Sequence, residues 1–412
     1  MSLANLRDVA QIDPVPRISI QAFCETVEAS AVVAEAAADR RMTKAQVKQN
    51  MGGAAAALEA YRNAATPNVI VVEAPNDRAA LIAQLDELAQ NCDAGTRVVV
   101  LGRANDVALY RQLIARGVSD YLVSPFEVVD FVQAIAQLFR APGAKPLGRL
   151  IAVVGAKGGV GASTVAHNLA WSLASAAEKA TILADFDLAF GTAGLDFNQD
   201  PPQGVADAVF APERVDAAQV DRLLARCVDN LDLLAAPAVL DRTLDLSETA
   251  FDTVIDAMRA STPWIVVDLP HLWCGWVRRV LIAADDVILV ASPDLANLRN
   301  ARNLVDALRG ARPNDQPPRL VLNGVGMLRR PEIAAAEFAR TVEVKPSAVI
   351  PHDARLFGAA ANNGLMIAEI EPKGKVAQAF DELAQAVAGW AAPRSKKGLL
   401  DPLMAALGWA QG

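Results

Sequence analysis

Cysteine is scarce in this chain. Four residues, Cys24, Cys92, Cys227 and Cys274, lie far apart among 412. No two are spaced as CxxC, which excludes a zinc ribbon or a disulfide framework and predicts separate thiols in a reducing compartment. Aromatic residues are also few, at 5%, so alanine, leucine and valine supply most of the 53% hydrophobic content. With only 21% charged residues, the chain is not mostly disordered and predicts a large buried core. No apolar run reaches the roughly 18 residues of a transmembrane helix. The opening segment MSLANLRDVAQIDPV carries acids and no apolar stretch, which predicts no secretory signal and a cytoplasmic protein. Positive charge is in deficit: 39 Lys and Arg against 47 Asp and Glu leave a net charge of -8. That balance argues against a surface made for nucleic acid.

Length alone suggests two or three domains. Two prolines and two glycines crowd residues 141–148, where neither a helix nor a central strand can continue. The expected division is 1–140, a linker at 141–148, a larger domain at 149–394 and a tail at 395–412. In the first part, strand patterns at Arg17–Phe23, Val69–Val72, Val98–Leu101 and Tyr121–Val123 alternate with helical patterns at 54–63, 79–88, 106–115 and 128–138. Short apolar strands separated by helices predict an α/β fold with a parallel sheet covered on both faces. The order resembles a flavodoxin-like receiver domain, though an unrelated small α/β domain would read similarly. The receiver resemblance implies acids after strand one, an aspartate after strand three and a lysine before the late proline. Here those places hold Cys24-Glu25-Thr26, Glu73 and Ser124 before Pro125. The expectation is a pseudo-receiver used for dimerisation or docking.

The second part opens with the apolar run Arg149–Val154, then GAKGGVGAST over 155–164, then a helical pattern from Val165. Strand, glycine loop and helix form the context in which backbone N–H groups and a helix N-terminus cradle phosphates. ATILA over 180–184 precedes Asp185-Phe186-Asp187, and WIVV over 264–267 precedes Asp268. Carboxylates at the C-terminal ends of parallel strands stand where ligands bind in such sheets. The expected fold is therefore a receiver-like unit followed by a P-loop NTPase domain with a mostly parallel sheet flanked by helices.

These motifs resemble the MinD/ParA ATPases, whose deviant Walker A reads KGGxGK[ST]. The resemblance implies ATP and Mg2+ as cofactors. It implies that Lys157 is the lysine that reaches phosphates across an ATP-bridged homodimer, and that Gly158, Gly159, Val160, Gly161, Ala162, Ser163 and Thr164 surround the phosphates. Asp187 would serve the attacking water, and Ser163, Asp185 and Asp268 would position the metal. Asn323, Pro351 and Asp353 fall where the family meets adenine. The family's second lysine is Ala162 here, so only weak ATPase activity is expected. His352 reads as an exposed loop residue, His167 as structural, and His271 as part of a segment after Walker B.

A degenerate receiver joined to this lysine-deficient loop resembles the TadZ/CpaE proteins. That resemblance implies a localisation factor for Tad/Flp pilus assembly, partnered by a secretion ATPase or a polar landmark. Residues 396–412 carry two lysines, then Leu399, Leu400, Leu403, Met404 and Leu407 at helical spacing, then Trp409. That pattern suits peripheral contact with the inner membrane, or packing on protein. Two other readings stay open. A ParA-type partitioning ATPase would need a basic DNA-binding face, and a scaffold would need no nucleotide.

Overall fold

The structure, a computed structural model, describes residues 12–389 except 75–76, 142, 144, 178, 238–239 and 241–244. The expected amphipathic tail at 396–412 lies outside the described residues. The chain divides into two compact units. One comprises Met1–Leu147 with Leu308–Gln316, the other Gly148–Ala307 with Pro317–Gly412.

The first unit holds five strands: β1 (Ser19–Cys24), β2 (Gln46–Met51), β3 (Val69–Glu73), β4 (Arg97–Gly102) and β5 (Asp120–Val123). They run parallel in the order β2-β1-β3-β4-β5, the flavodoxin-like doubly wound order. Side chains alternate along each strand, so β3 feeds two cores. Val69 and Val71 pack with helices Val27–Ala37 and Val128–Leu138, while Ile70 and Val72 pack with helices Gly53–Ala60, Arg78–Asn91 and Val107–Ala115. The first strand starts two residues later than its pattern predicts. Two elements carried no expectation: helix Val27–Ala37 and strand β2. β2 reads QVKQNM and is mostly exposed, with Val47 its one apolar side chain packed on the core, so it shows no apolar run. Also in this unit, Asp315 accepts from Arg40 Nε at 2.7 Å and Arg41 Nη2 at 2.5 Å, all three side chains being buried.

The second unit is built on eight strands: β6 (Arg149–Gly155), β7 (Thr181–Asp185), β8 (Ala225–Val228), β9 (Leu231–Leu234), β10 (Trp264–Asp268), β11 (Asp286–Ala291), β12 (Arg319–Val325) and β13 (Pro346–Pro351). Their order is β13-β12-β11-β6-β10-β7-β9-β8, and only the β8–β9 pair is antiparallel. The central strands β6, β7, β10 and β11 are almost wholly buried, as continuous β-branched runs covered on both faces must be. Helix Ala162–Ala177 follows β6 and packs against Lys375–Ala388, burying Leu169, Leu173, Phe380 and Leu383 over Ile151 and Val153. The middle of the sheet thus fixes the C-terminal ends of β6, β7 and β10 side by side, with Asp268 in register with Asp185.

Candidate functional site

β6 ends at Gly155, and the chain turns through Ala156–Gly161 into helix Ala162–Ala177. Gly159 and Gly161 have φ of +79° and +80°, the left-handed region that glycine enters without strain. A Cβ at Gly161 would stand 2.6 Å from Asn323 Nδ2, so the close approach of that side chain also requires glycine. Val160 is buried and anchors the turn, while Lys157, Gly158 and Gly159 are exposed. Ala162, Ser163 and Thr164 are half-buried at the start of the helix. The amide-rich turn and the helix N-terminus together form an anion-binding geometry.

The acids gather beside it. Phe186, between the two aspartates, points into the core and stacks on Phe251 with ring centres 4.1 Å apart. This anchor fixes the segment that carries Asp185 and Asp187. Asp185 is fully buried, and its two oxygens accept from the amides of Asp187 and Ala193, each at 3.1 Å. Burial, then the nearby Asp268, raises its carboxyl to about 7 against the opposing His167. Asp187 is half-buried, and burial raises its carboxyl too, although the Phe190 amide opposes this. Asp268 is buried, and its Oδ1 has no hydrogen-bond partner.

Among the described residues no three His, Cys, Asp or Glu side chains gather closely enough to hold a metal by themselves. Mg2+ does not require such a cage, because it keeps waters and takes phosphate oxygens with one or two carboxylates. The orphaned Asp268 Oδ1 fits that arrangement. Asp185 fits less freely, because both its oxygens already serve backbone amides.

His167, read from sequence as structural, touches this set. Its Nδ1 lies 2.7 Å from Asp196 Oδ2 and its Nε2 lies 3.6 Å from Asp268 Oδ2. Burial opposes its charge, but the two carboxylates outweigh that and push its pKa up to about 10. The imidazole is therefore held between Asp196 and Asp268, with its charged form favoured. Among the described residues, Lys157 has no such partner in contact. Its charge contributes, with the Asn297 amide and Arg330, to holding the Asp294 carboxyl below the usual range despite burial.

On the far strands, Asn323 near the end of β12 donates from Nδ2 to Val160 O at 2.8 Å. Pro351 ends β13 in register with Val325, and Asp353 caps helix Ala354–Asn363 by accepting from Leu356 N at 2.8 Å. Asn323 is thus brought to the phosphate loop, whereas Asp353 serves a helix end. Two further residues meet the loop. His271 Nδ1 lies 3.0 Å from Gly155 O, and Asn300 Nδ2 donates to Ala156 O at 2.8 Å. Asn300 drew no attention in the sequence. Its signal is a row of asparagines, Asn297, Asn300 and Asn303, three apart on one helical face.

In the first unit, Glu73 is 5% exposed and wholly engaged. Its Oε2 accepts from the amides of Glu25 at 2.7 Å and Thr26 at 2.9 Å, and its Oε1 from Thr26 Oγ1 at 2.8 Å. The carboxylate closes the N-terminus of helix Val27–Ala37.

Residues 148–316 match the family model of an AAA domain. The septum site-determining protein MinD of Thermotoga maritima is 22% identical over 267 residues, covering 62% of this chain and 96% of that protein. This chain carries a MinD/ParA-family P-loop ATPase domain. MinD of Pyrococcus horikoshii, solved with Mg-ADP, superposes with a TM-score of 0.52 at 22% identity over 58% of this chain and 96% of that one. A pilus assembly protein CpaE of Caulobacter crescentus is 44% identical over 31% of this chain and 98% of its own length, with a TM-score of 0.31. Among the described residues, no helix of the MinD/ParA-type domain or of the first unit is long and apolar enough to cross a membrane.

Proposed function

We propose that this chain is an ATP-binding localisation factor that dimerises around Mg·ATP and serves Tad/Flp pilus assembly, with weak or absent hydrolysis. The observation that carries the reading is the loop itself. It has an exposed Lys157, left-handed glycines and an adjoining trio of acids, yet alanine at 162. Lys157 is exposed on the loop, as a lysine serving a second subunit's phosphates must be. Segments leaving the C-terminal ends of β7, β10, β11 and β12 carry Phe190, Leu272, Trp273, Leu295 and Leu328, each more than half exposed. Exposed apolar side chains on the loop-bearing edge support burial against a second copy.

Bound Mg2+ would neutralise phosphate charge, and Asp268, Ser163 and Asp185 would hold it. Asp187, raised by burial, would orient water or accept its proton. Loss of the second lysine removes a charged phosphate contact worth about 1.5–3 kcal/mol, which supports slow turnover in a switch and not a metabolic enzyme. The pilus-assembly partner rests chiefly on sequence resemblance. Identity to the CpaE chain, together with a flavodoxin-like unit carrying Glu73 and Ser124 at the receiver positions, points to pilus assembly. The reading also places the protein at a cell pole, against the inner membrane.

The test is mass by light scattering with and without Mg·ATP, for wild type and Lys157→Ala. The expected result is a doubled mass only for wild type with Mg·ATP. A wild-type chain that binds no nucleotide in a parallel thermal-shift titration refutes the reading.

A further inference from the structure

We infer that His271, Asn300 and Asn323 are positioning residues that grip the phosphate loop by its carbonyls and so aim its amides at a polyphosphate. The inference rests on the nucleotide-binding reading above and deepens it. The three side chains come from separate segments: one after β10, one on helix Leu295–Ala311 and one near the end of β12. Each meets a different loop carbonyl, those of Gly155, Ala156 and Val160. A carbonyl only accepts, so His271 presents a protonated Nδ1.

A trans peptide points its N–H opposite to its C=O. Asn300, by holding Ala156 O, therefore turns the Lys157 N–H away from itself. Asn323, by holding Val160 O, does the same for the Gly161 N–H. The Gly155–Ala156 peptide aims no amide of its own, because Ala156 N donates to Val290 O at 2.8 Å; His271, at its oxygen, acts indirectly by fixing the start of the turn from which the other two peptides are set. Amides already aimed need no ordering when the anion arrives, so their attraction is not spent on conformational entropy. That matters more here than in a loop with a lysine at 162, since the amides carry a larger share of phosphate binding.

The geometry also distinguishes two roles for Asn323. The family resemblance places it at adenine, yet one of its two Nδ2 hydrogens is given to the loop. If it positions the loop, its loss weakens any polyphosphate equally. If it reads the base, pyrophosphate does not notice the change. Truncation at two of the three positions is sterically mild, because His271 and Asn300 already line a cavity of about 450 Å³ with Leu272 and Trp273.

The experiment is calorimetric titration of the full chain with Mg·ADP and with Mg·pyrophosphate. The proteins are wild type, His271→Ala, His271→Asn, Asn300→Ala and Asn323→Ala, each with its apo Tm. Each alanine variant is expected to weaken both ligands by the same factor, roughly 3- to 10-fold for one neutral hydrogen bond. His271→Asn, whose Nδ2 can stand near the place of Nδ1, should recover most of that loss. Asn323→Leu, which keeps volume but donates nothing, replaces Asn323→Ala if the latter does not fold. Unchanged affinities in the variants overturn this inference alone. So does an Asn323 variant that loses ADP but keeps pyrophosphate. A wild-type chain that binds neither ligand overturns the nucleotide reading and this inference with it.

Discussion

Replacing Gly191 by alanine would put a methyl group into the tightest space around the acidic pair. A Cβ there would stand 2.3 Å from Asp185 Oδ2 and 2.6 Å from Ala236 Cβ. Neither neighbour can yield easily. Asp185 is fully buried and its Oδ2 holds the Ala193 amide, while the backbone at 191 is tied by its own N–H to Asp187 O at 2.7 Å. The carboxylate would have to rotate and abandon Ala193. Overpacking of this kind costs about 1–3 kcal/mol, and the lost hydrogen bond adds roughly 1 kcal/mol. The expected destabilisation is therefore about 2–4 kcal/mol, a large part of a typical 5–15 kcal/mol. Urea unfolding followed by circular dichroism measures it as a lower midpoint at constant slope. Mg·ADP affinity should fall with it if the moved carboxylate faces the metal as proposed. A loss below about 1 kcal/mol with unchanged affinity would refute the reasoning, since Asp185 would then not rest against Gly191.

Five other outcomes follow from the same geometry. Ala162→Lys should tighten Mg·ADP binding by roughly 10- to 150-fold in calorimetry, the worth of one charged phosphate contact; no tightening would mean that phosphates do not meet the helix start. Glu73→Ala should lower stability by about 2 kcal/mol in thermal unfolding, because it orphans two amides and a hydroxyl. In wild type, an acyl-phosphate donor should leave residue 73 unlabelled by mass spectrometry, and a stable label there would sink the pseudo-receiver reading. Asp315→Asn should cost on the order of 3 kcal/mol at pH 7, because Arg40 and Arg41 lose their shared carboxylate. Burial alone would raise that carboxyl, but Arg40, then Arg41 and Arg312, hold it below the usual range. Its stabilisation is therefore present above the unfolded value near 3.9 and fades as pH falls through the folded one, so the gap to Asp315→Asn in denaturation should close below about pH 4. Chelation of Mg2+ should abolish ADP binding in titrations; binding that survives EDTA would show that the loop suffices alone.

The parts of this protein that could be read in advance are those where chemistry forces a residue type. Left-handed turns demanded Gly159 and Gly161, and buried central strands demanded the β-branched runs of β3, β6 and β10. The acids at the ends of β7 and β10 were visible because a charged residue closing an apolar run is conspicuous. β2 was not, because an edge strand with exposed side chains has neither apolar run nor regular alternation. The partners of His167, a residue that reads as structural, were hidden for a different reason. Its helix position says only that it faces the sheet, and the Asp196 that completes its pairing is 29 residues away. Asn300 and His271 were invisible as loop partners because their acceptors are backbone carbonyls, which every residue possesses.

The charge inventory explains why a loop without its second lysine should depend so strongly on metal. Asp185, Asp187, Asp196 and Asp268 converge near the loop, and among the described residues His167 lies buried between Asp196 and Asp268. Lys157 stands outside, exposed. An incoming polyphosphate therefore approaches a site that is already negative, and the amides of the loop offer partial charges only. In a loop with lysine at 162, part of that repulsion is met by the protein. Here it must be met by a divalent ion next to Asp268 Oδ1, or by the Lys157 of a second subunit. Both are shared between two bodies, the ion between protein and nucleotide and the lysine between protomers. Under the proposed dimer, such an arrangement would bind tightly when nucleotide, metal and partner copy are all present, the behaviour of a coincidence switch.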